Sequence, residues 1–281
     1  MPDLLLDALP VIDLLEITAN TSEVAQLTQR DQSSVSRIYR QASAKLGLDF
    51  SKAPSGEYSA GHNQDLLQLL RRSSQHLRLI DPRELRWMGC PWSPTVLPAA
   101  TSPQPLPNRG DGAQRLCALV RDRLLDLAVI AGHEVLPARQ AAWTGPAELP
   151  LDSGSLLALP LVRYPLVLAA QHDHPLHATS AITLQDVADW PLVAAMRGPT
   201  SPQAQRLGQR GLRLVSALEL ETMAGSEGLQ ALPMGTNLDD LDLLVIRHDL
   251  CAEPALIALM QAVVMGYRRS FQHRPDLCWL R

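Results

Sequence analysis

Residues 14–50, LLEITANTSEVAQLTQRDQSSVSRIYRQASAKLGLDF, constrain this chain more than any other stretch. They read as a short helix, a turn, and a second helix opening at Asp31. That second helix divides cleanly: Val35 and Ile38 lie along one side, small polar residues and an arginine along the other. A helix that docks on its own domain by an apolar stripe, and presents short donors and acceptors outward, suits approach to base edges in a major groove. Asn20-Thr21-Ser22 offers caps for the first of these helices, with Glu23 in its first turn. Ala25 precedes Val35 and Ile38 at a spacing that lets two helices cross over a small residue. Upstream, Leu5, Leu9, Ile12, Leu15 and Ala19 keep helical spacing over residues 4–19. Downstream, Gly47 fits a helix C-cap, and residues 53–57 read as the tip of a short hairpin, or wing.

Beyond this unit the texture changes twice. Leu66, Leu70, Leu77 and Ile80 follow a and d heptad positions between residues 61 and 80, with Arg71, Arg72 and Arg78 between them. This predicts a linker helix that pairs with its twin; an amphipathic helix packed on its own domain is the alternative. After Pro82 short strands and helices alternate: 85–90, a helix from 113 to 124 running into a strand at 125–130, strands at 166–170, 192–195 and 241–246, and a final helix from 254 to 267. Such alternation predicts an α/β region with a mostly parallel sheet.

Composition bounds the function classes. A chain of 281 residues with 46% hydrophobic and 19% charged residues is folded and long enough for two or three compact units. No apolar run approaches the ~20 residues of a membrane helix, and no basic segment precedes the first apolar residues, so the expected compartment is the cytoplasm. The net charge of −4 decides nothing about nucleic acid, but Arg30, Arg37, Arg40 and Lys45 face only Asp31 between residues 30 and 45. Cys90, Cys117, Cys251 and Cys278 form no C-x-x-C pair and are expected to be buried small apolar residues. His172, His174 and His177 form H-x-H-x-x-H without an acidic or cysteine cluster, so no metal and no cofactor is expected. The run Asp239-Asp240-Leu241-Asp242 reads as a solvated cap or turn. Neither a nucleophile elbow nor a phosphate loop nor a zincin motif occurs, so no enzyme is expected.

Taken in order, these segments resemble the LysR-type transcriptional regulators. Gln32-Ser33-Ser34-Val35-Ser36-Arg37 looks like that family's recognition helix, and the segment from Leu46 to Lys52 like the turn closing its third helix. Ser59-Ala60-Gly61 looks like the start of its linker helix. Arg123 to Ile130 looks like the family's helix-to-strand passage, and Pro160 to Leu168 with His174-Pro175-Leu176 like its crossing strand and following loop. Departures include Thr28 and Arg30, where the family has apolar residues.

The resemblance implies an α/β protein with an N-terminal winged helix-turn-helix over residues 1–60, a linker and dimerisation helix over 61–82, and an effector domain over 83–281. That domain is expected to be two-lobed and to resemble a periplasmic binding protein, with lobe I over 83–161 and 247–281 and lobe II over 162–246. The implied partners are double-stranded DNA, a second copy in a dimer or tetramer, and a small anionic metabolite, with no membrane. Gln32, Ser33, Ser34 and Arg37 would approach base edges, with Ser36, Arg40 and Arg30 on phosphates or the groove wall. Ser93, Thr95, Gly132, His133, Arg197, Gly198, Thr200 and Ser201 would line the effector pocket. A regulator-like protein that has lost DNA binding is the competing expectation.

Overall fold

The computed structural model describes residues 3–53, 56–89, 103, 105–108, 112–132, 149–151, 154–191, 211–216, 220, 228–275 and 277–279. Three helices open the chain: α1 (Leu9–Thr18), α2 (Thr21–Leu27) and α3 (Gln32–Leu46), preceded by a π-helical turn at Leu4–Ala8. Their boundaries follow local chemistry. Asn20 caps α2 by accepting from the backbone N–H of Ser22 at 2.9 Å, and Asp31 caps α3 through the N–H of Ser34 at 2.7 Å. Gly47 ends α3 in the left-handed conformation, φ +61°, and a Cβ there would stand 2.9 Å from Asn63 Nδ2. Asn63 Nδ2 in turn donates to the Leu46 carbonyl at 2.8 Å, satisfying a carbonyl the helix end leaves without a partner.

A two-stranded antiparallel hairpin, β1 (Phe50–Lys52) and β2 (Tyr58–Ala60), follows as the wing. Tyr39 of α3 meets Phe50 and Tyr58 at centroid distances of 6.1 and 5.8 Å, which fixes the wing against the helix. The helix α4 (Gln64–Ile80) then leads to the larger region.

That region is built on one sheet. Its described strands are β3 (Trp87–Met88), β4 (Leu127–Ala131), β5 (Leu149–Leu151), β6 (Leu156–Gln171), β7 (Arg213–Ser216), β8 (Leu229–Arg247) and β9 (Cys278–Trp279). The order is β3-β4-β8-β6-β5, with β7 and β9 also on β6. Among these strands only β3 and β4 are parallel, so the expected mostly parallel sheet is corrected to a mostly antiparallel one. The physical reason is the length of β6 and β8: the two apolar runs at 166–170 and 241–246 belong to strands that pair antiparallel along nearly their whole length.

Side chains alternate across this sheet. On β4, Ala128 and Ile130 join the cluster formed by α5 (Ala113–Arg121) and helices α1 to α3, while Leu127 and Val129 face the last helix, α7 (Pro254–Ser270). One apolar core therefore runs from the helical unit into the sheet. A smaller cluster around Leu168, Leu176, Leu212 and Leu232 packs the far ends of β6 and β8, beside the short helix α6 (Leu184–Ala188). The strand expected at 192–195 lies outside the described residues. None of the described helices is long and apolar enough to cross a membrane.

Candidate nucleic-acid interface

Helix α3 sits on its unit through Val35, Ile38, Ala42 and Ser43, all buried, and leaves Ser33, Arg37, Arg40, Gln41, Ala44 and Lys45 exposed. Three cations and no acid occupy that outer face beyond the cap. Such a surface contacts phosphates or guanine edges at little desolvation cost.

Each predicted DNA-contacting residue has a definite local setting. Gln32 Nε2 donates to Thr21 Oγ1 at 2.7 Å, tying the start of α3 to the start of α2. Ser33 and Ser34 donate their hydroxyls to Asp31 at 2.5 and 2.7 Å. With the Ser34 N–H these hydroxyls hold the Asp31 carboxyl well below the usual carboxylate range, so a full negative charge sits at the head of the helix. Ser36 is half-buried. Arg37 reaches back to Ser34 Oγ at 3.3 Å, and Arg40 lies over the Tyr39 ring at 5.7 Å; both are exposed. Arg30 is placed differently: its guanidinium pairs at 2.5 Å with Oδ1 of Asp7, within the π-helical turn, so a phosphate would have to compete with that carboxylate. Lys52 on the wing lies over the Tyr58 ring at 5.7 Å.

The polar residues that depart from the apolar pattern are accommodated. Thr28 donates to the Val24 carbonyl at 2.7 Å, so its hydroxyl is satisfied within its own helix turn.

The linker helix gives a split result. Leu66, Leu77 and Ile80 are exposed, Ile80 at 79%, and Leu70 is half-buried against the core. Leu69, missed in the heptad reading, is 64% exposed and extends the same stripe. The opposite face buries Leu67, Arg71, Ser74, Gln75 and Arg78 inside its own chain.

Of the predicted effector residues, Ser93, Thr95, His133, Arg197, Gly198, Thr200 and Ser201 lie outside the described residues. Gly132 follows β4, and a Cβ there would stand 2.9 Å from the Leu241 carbonyl, so the close approach of two backbones requires glycine. The acidic run beside it corrects the sequence reading. Asp240 and Asp242 are buried in β8, opposite Tyr164 and Val162, and Asp242 also pairs with Ala131. The Tyr164 hydroxyl donates to Asp242 Oδ1 at 2.8 Å and lies 3.5 Å from Asp240 Oδ2. Strand period places Asp240 and Asp242 on one face, a signal present in the apolar run that follows them but masked by their charge.

One further expectation changes. Cys251, in the turn after residues 248–250, and Cys278, on β9 at the edge of the sheet, are exposed, and Cys117 on α5 is half-buried; Cys90 lies outside the described residues. His174 is an N-cap, accepting from the Leu176 N–H at 3.3 Å and packing edge-on to Trp190 at 4.2 Å. Among the described residues no three His, Cys, Asp or Glu side chains are grouped to hold a metal ion.

Residues 110–236 match the family described as the LysR substrate binding domain. No curated protein matches the sequence. Among solved structures, a full-length OxyR variant from Pseudomonas aeruginosa is similar at 14% identity and a TM-score of 0.50, over 95% of this chain and 95% of that one. A probable transcriptional regulator from the same organism gives 15% identity and a TM-score of 0.47, over 93% of this chain and 96% of that one. CrgA, a LysR-type transcriptional regulator from Neisseria meningitidis, gives 14% and 0.40, over 95% and 99%. At these identities the likeness is one of fold, and it rests on the first. The matched stretch takes in α5, β4, β5, β6, α6, β7 and the first part of β8.

Proposed function

We propose that this protein is a sequence-specific, DNA-binding transcriptional regulator of LysR type, controlled by a small molecule held between the lobes of its substrate-binding domain. The observation that carries the reading is the outer face of α3, where Arg37, Arg40 and Lys45 stand exposed on a helix whose inner face is fully docked. Arg37 and Gln32 read bases; Ser33 and Ser34 do so on release from Asp31. Arg40, Ser36 and Arg30 contact the backbone, Arg30 by exchanging Asp7 for a phosphate. One helix-turn-helix reads only a few base pairs, so two copies are required, and the exposed stripe Leu66, Leu69, Leu77 and Ile80 supports pairing of α4 with its twin. The protein acts by binding rather than by catalysis. Its effector is a small anionic metabolite recognised near Gly132, together with the predicted Ser93, Thr95, His133, Arg197, Gly198, Thr200 and Ser201.

The decisive experiment is footprinting on genomic fragments retained by the protein. Arg37→Ala is expected to lose the footprint, and an unchanged footprint overturns the assignment. Replacing Leu70 and Leu77 with Glu is expected to give monomers in sedimentation; a persisting oligomer removes α4 from that role. One observation favours the competing reading of a protein that no longer binds DNA: the Asp31 charge occupies the helix N-terminus and engages both serines. A flat dependence of DNA retention on salt would select it, since phosphate neutralisation gives a steep negative slope.

A further inference from the structure

The buried face of α4 is lined by charge. Arg71 Nε donates to Asp13 Oδ1 of α1 at 2.9 Å, and its Nη2 to Glu16 at 2.6 Å. Seven residues on, two turns along the same face, Arg78 forks onto Asp126 through Nε at 2.9 Å and Nη2 at 3.0 Å, with Gln75 on the same carboxylate at 2.9 Å. Arg86 joins the two halves: its backbone N–H donates to Asp126 at 2.8 Å and its guanidinium to Asp13 at 3.1 Å. Both carboxylates are wholly buried. Burial opposes the charge on Arg71 and Arg78, yet their carboxylate partners outweigh it and strengthen both as bases.

The position of Asp126 gives the network its reach. It immediately precedes β4, the strand between β3 and β8, whose other end is Ala131–Gly132 beside Asp242. Five strand residues span about 17 Å at roughly 3.3 Å each, and a buried strand with a neighbour on each side is stiff. From Asp126 the contacts reach Asp13 directly through Arg86, and in parallel through Arg78, the length of α4 and Arg71; Asp13 lies on the helix against which α2 and α3 pack.

We propose that α4 is a two-sided element whose buried arginines, linked through Arg86, couple the helix-turn-helix unit to the substrate-binding domain of the same chain. Charge-assisted forks lose strength steeply with distance and angle, so this network is held or broken as a unit rather than stretched. Displacement of β4 therefore reorients α1, and with it α3, within one protomer, while the opposite leucine face of α4 remains in place. The link from effector to DNA affinity rests on the regulator reading; the coupling itself does not.

The test is hydrogen exchange on the full chain, which needs neither DNA nor effector. Arg86→Met removes only the cross-link, leaving Asp13 with Arg71 and Asp126 with Arg78. Amides of α1 and α3 are expected to exchange at least fivefold faster than in the parent, with those of residues 163–168 unchanged. Unaltered exchange in α1 and α3 overturns the proposal. Arg86→Gln, which shortens the side chain and removes the charge beside Asp13, is read by the same criterion should Arg86→Met fail to fold. In denaturant unfolding, Asp13→Asn and Asp126→Asn together are expected to depart at least fivefold in folding constant from the product of the single effects, because they share Arg86. Additivity within twofold counts against it.

Discussion

Helices α3 and α4 each carry a pair of arginines, and the two pairs have opposite fates. Arg37 and Arg40 extend into solvent, where water screens them and the only described partners are a serine hydroxyl and a tyrosine. Arg71 and Arg78 are withdrawn from water, and three acidic residues from α1 and the base of β4 meet them. A solvated guanidinium keeps its charge available for a phosphate or a guanine edge. A buried one has its donors committed, so it fixes geometry and offers little to a ligand. The difference supports the proposed recognition role of α3 and the proposed alignment role of α4.

The largest expected effect lies on the buried side. Asp126→Ala leaves Arg78 in the interior without its fork and is expected to cost about 3–5 kcal/mol of stability, read from denaturant midpoints. A loss below about 1 kcal/mol would erase the contrast between the two helices. Arg37→Ala is the complementary change. It is expected to leave the unfolding midpoint within about 0.5 kcal/mol of the parent, while weakening specific DNA retention by about 1–3 kcal/mol.

Between these extremes lies Asp249, paired with Arg123 at 2.7 Å and Arg247 at 2.8 Å and 45% exposed. Partial burial alone would raise its carboxyl, but the two guanidiniums outweigh it and bring it down to about 2. A folded value below the unfolded one, about 3.9, means the stabilisation is complete above about pH 4 and fades as pH falls toward 2. Solvent screening holds this to about 1 kcal/mol or less. Asp249→Asn is therefore expected to reduce the drop in urea midpoint between pH 5 and pH 3, by a small margin. Smallest is the exposed Arg30–Asp7 pair. Arg30→Ala is expected to leave the thermal midpoint unchanged, and any change in DNA retention then reports groove contact alone.

Much of the helix-turn-helix was legible because its determinants are local. Asn20, Asp31 and Gly47 mark helix ends by chemistry within a few residues, and Val35 and Ile38 declare the inner face. The LysR resemblance likewise met a family-model match, over residues 110–236. The effector residues other than Gly132 fall where no geometry is described, so that site remains a proposal from sequence. The acidic run misled because three carboxylates in four residues look solvated when read alone. Asp239 is exposed, but Tyr164, more than seventy residues earlier, receives Asp240 and Asp242 in the interior.

By itself the sequence determined where helices start and stop, which face of α3 docks, and that α4 has a leucine stripe and an arginine stripe. Only the tertiary structure decided which stripe of α4 turns inward. Helical periodicity can find two faces, but burying guanidiniums is favourable only if carboxylates arrive at fork distance. Asp13 and Asp126, 58 and 48 residues away from their arginines, are brought there by the fold.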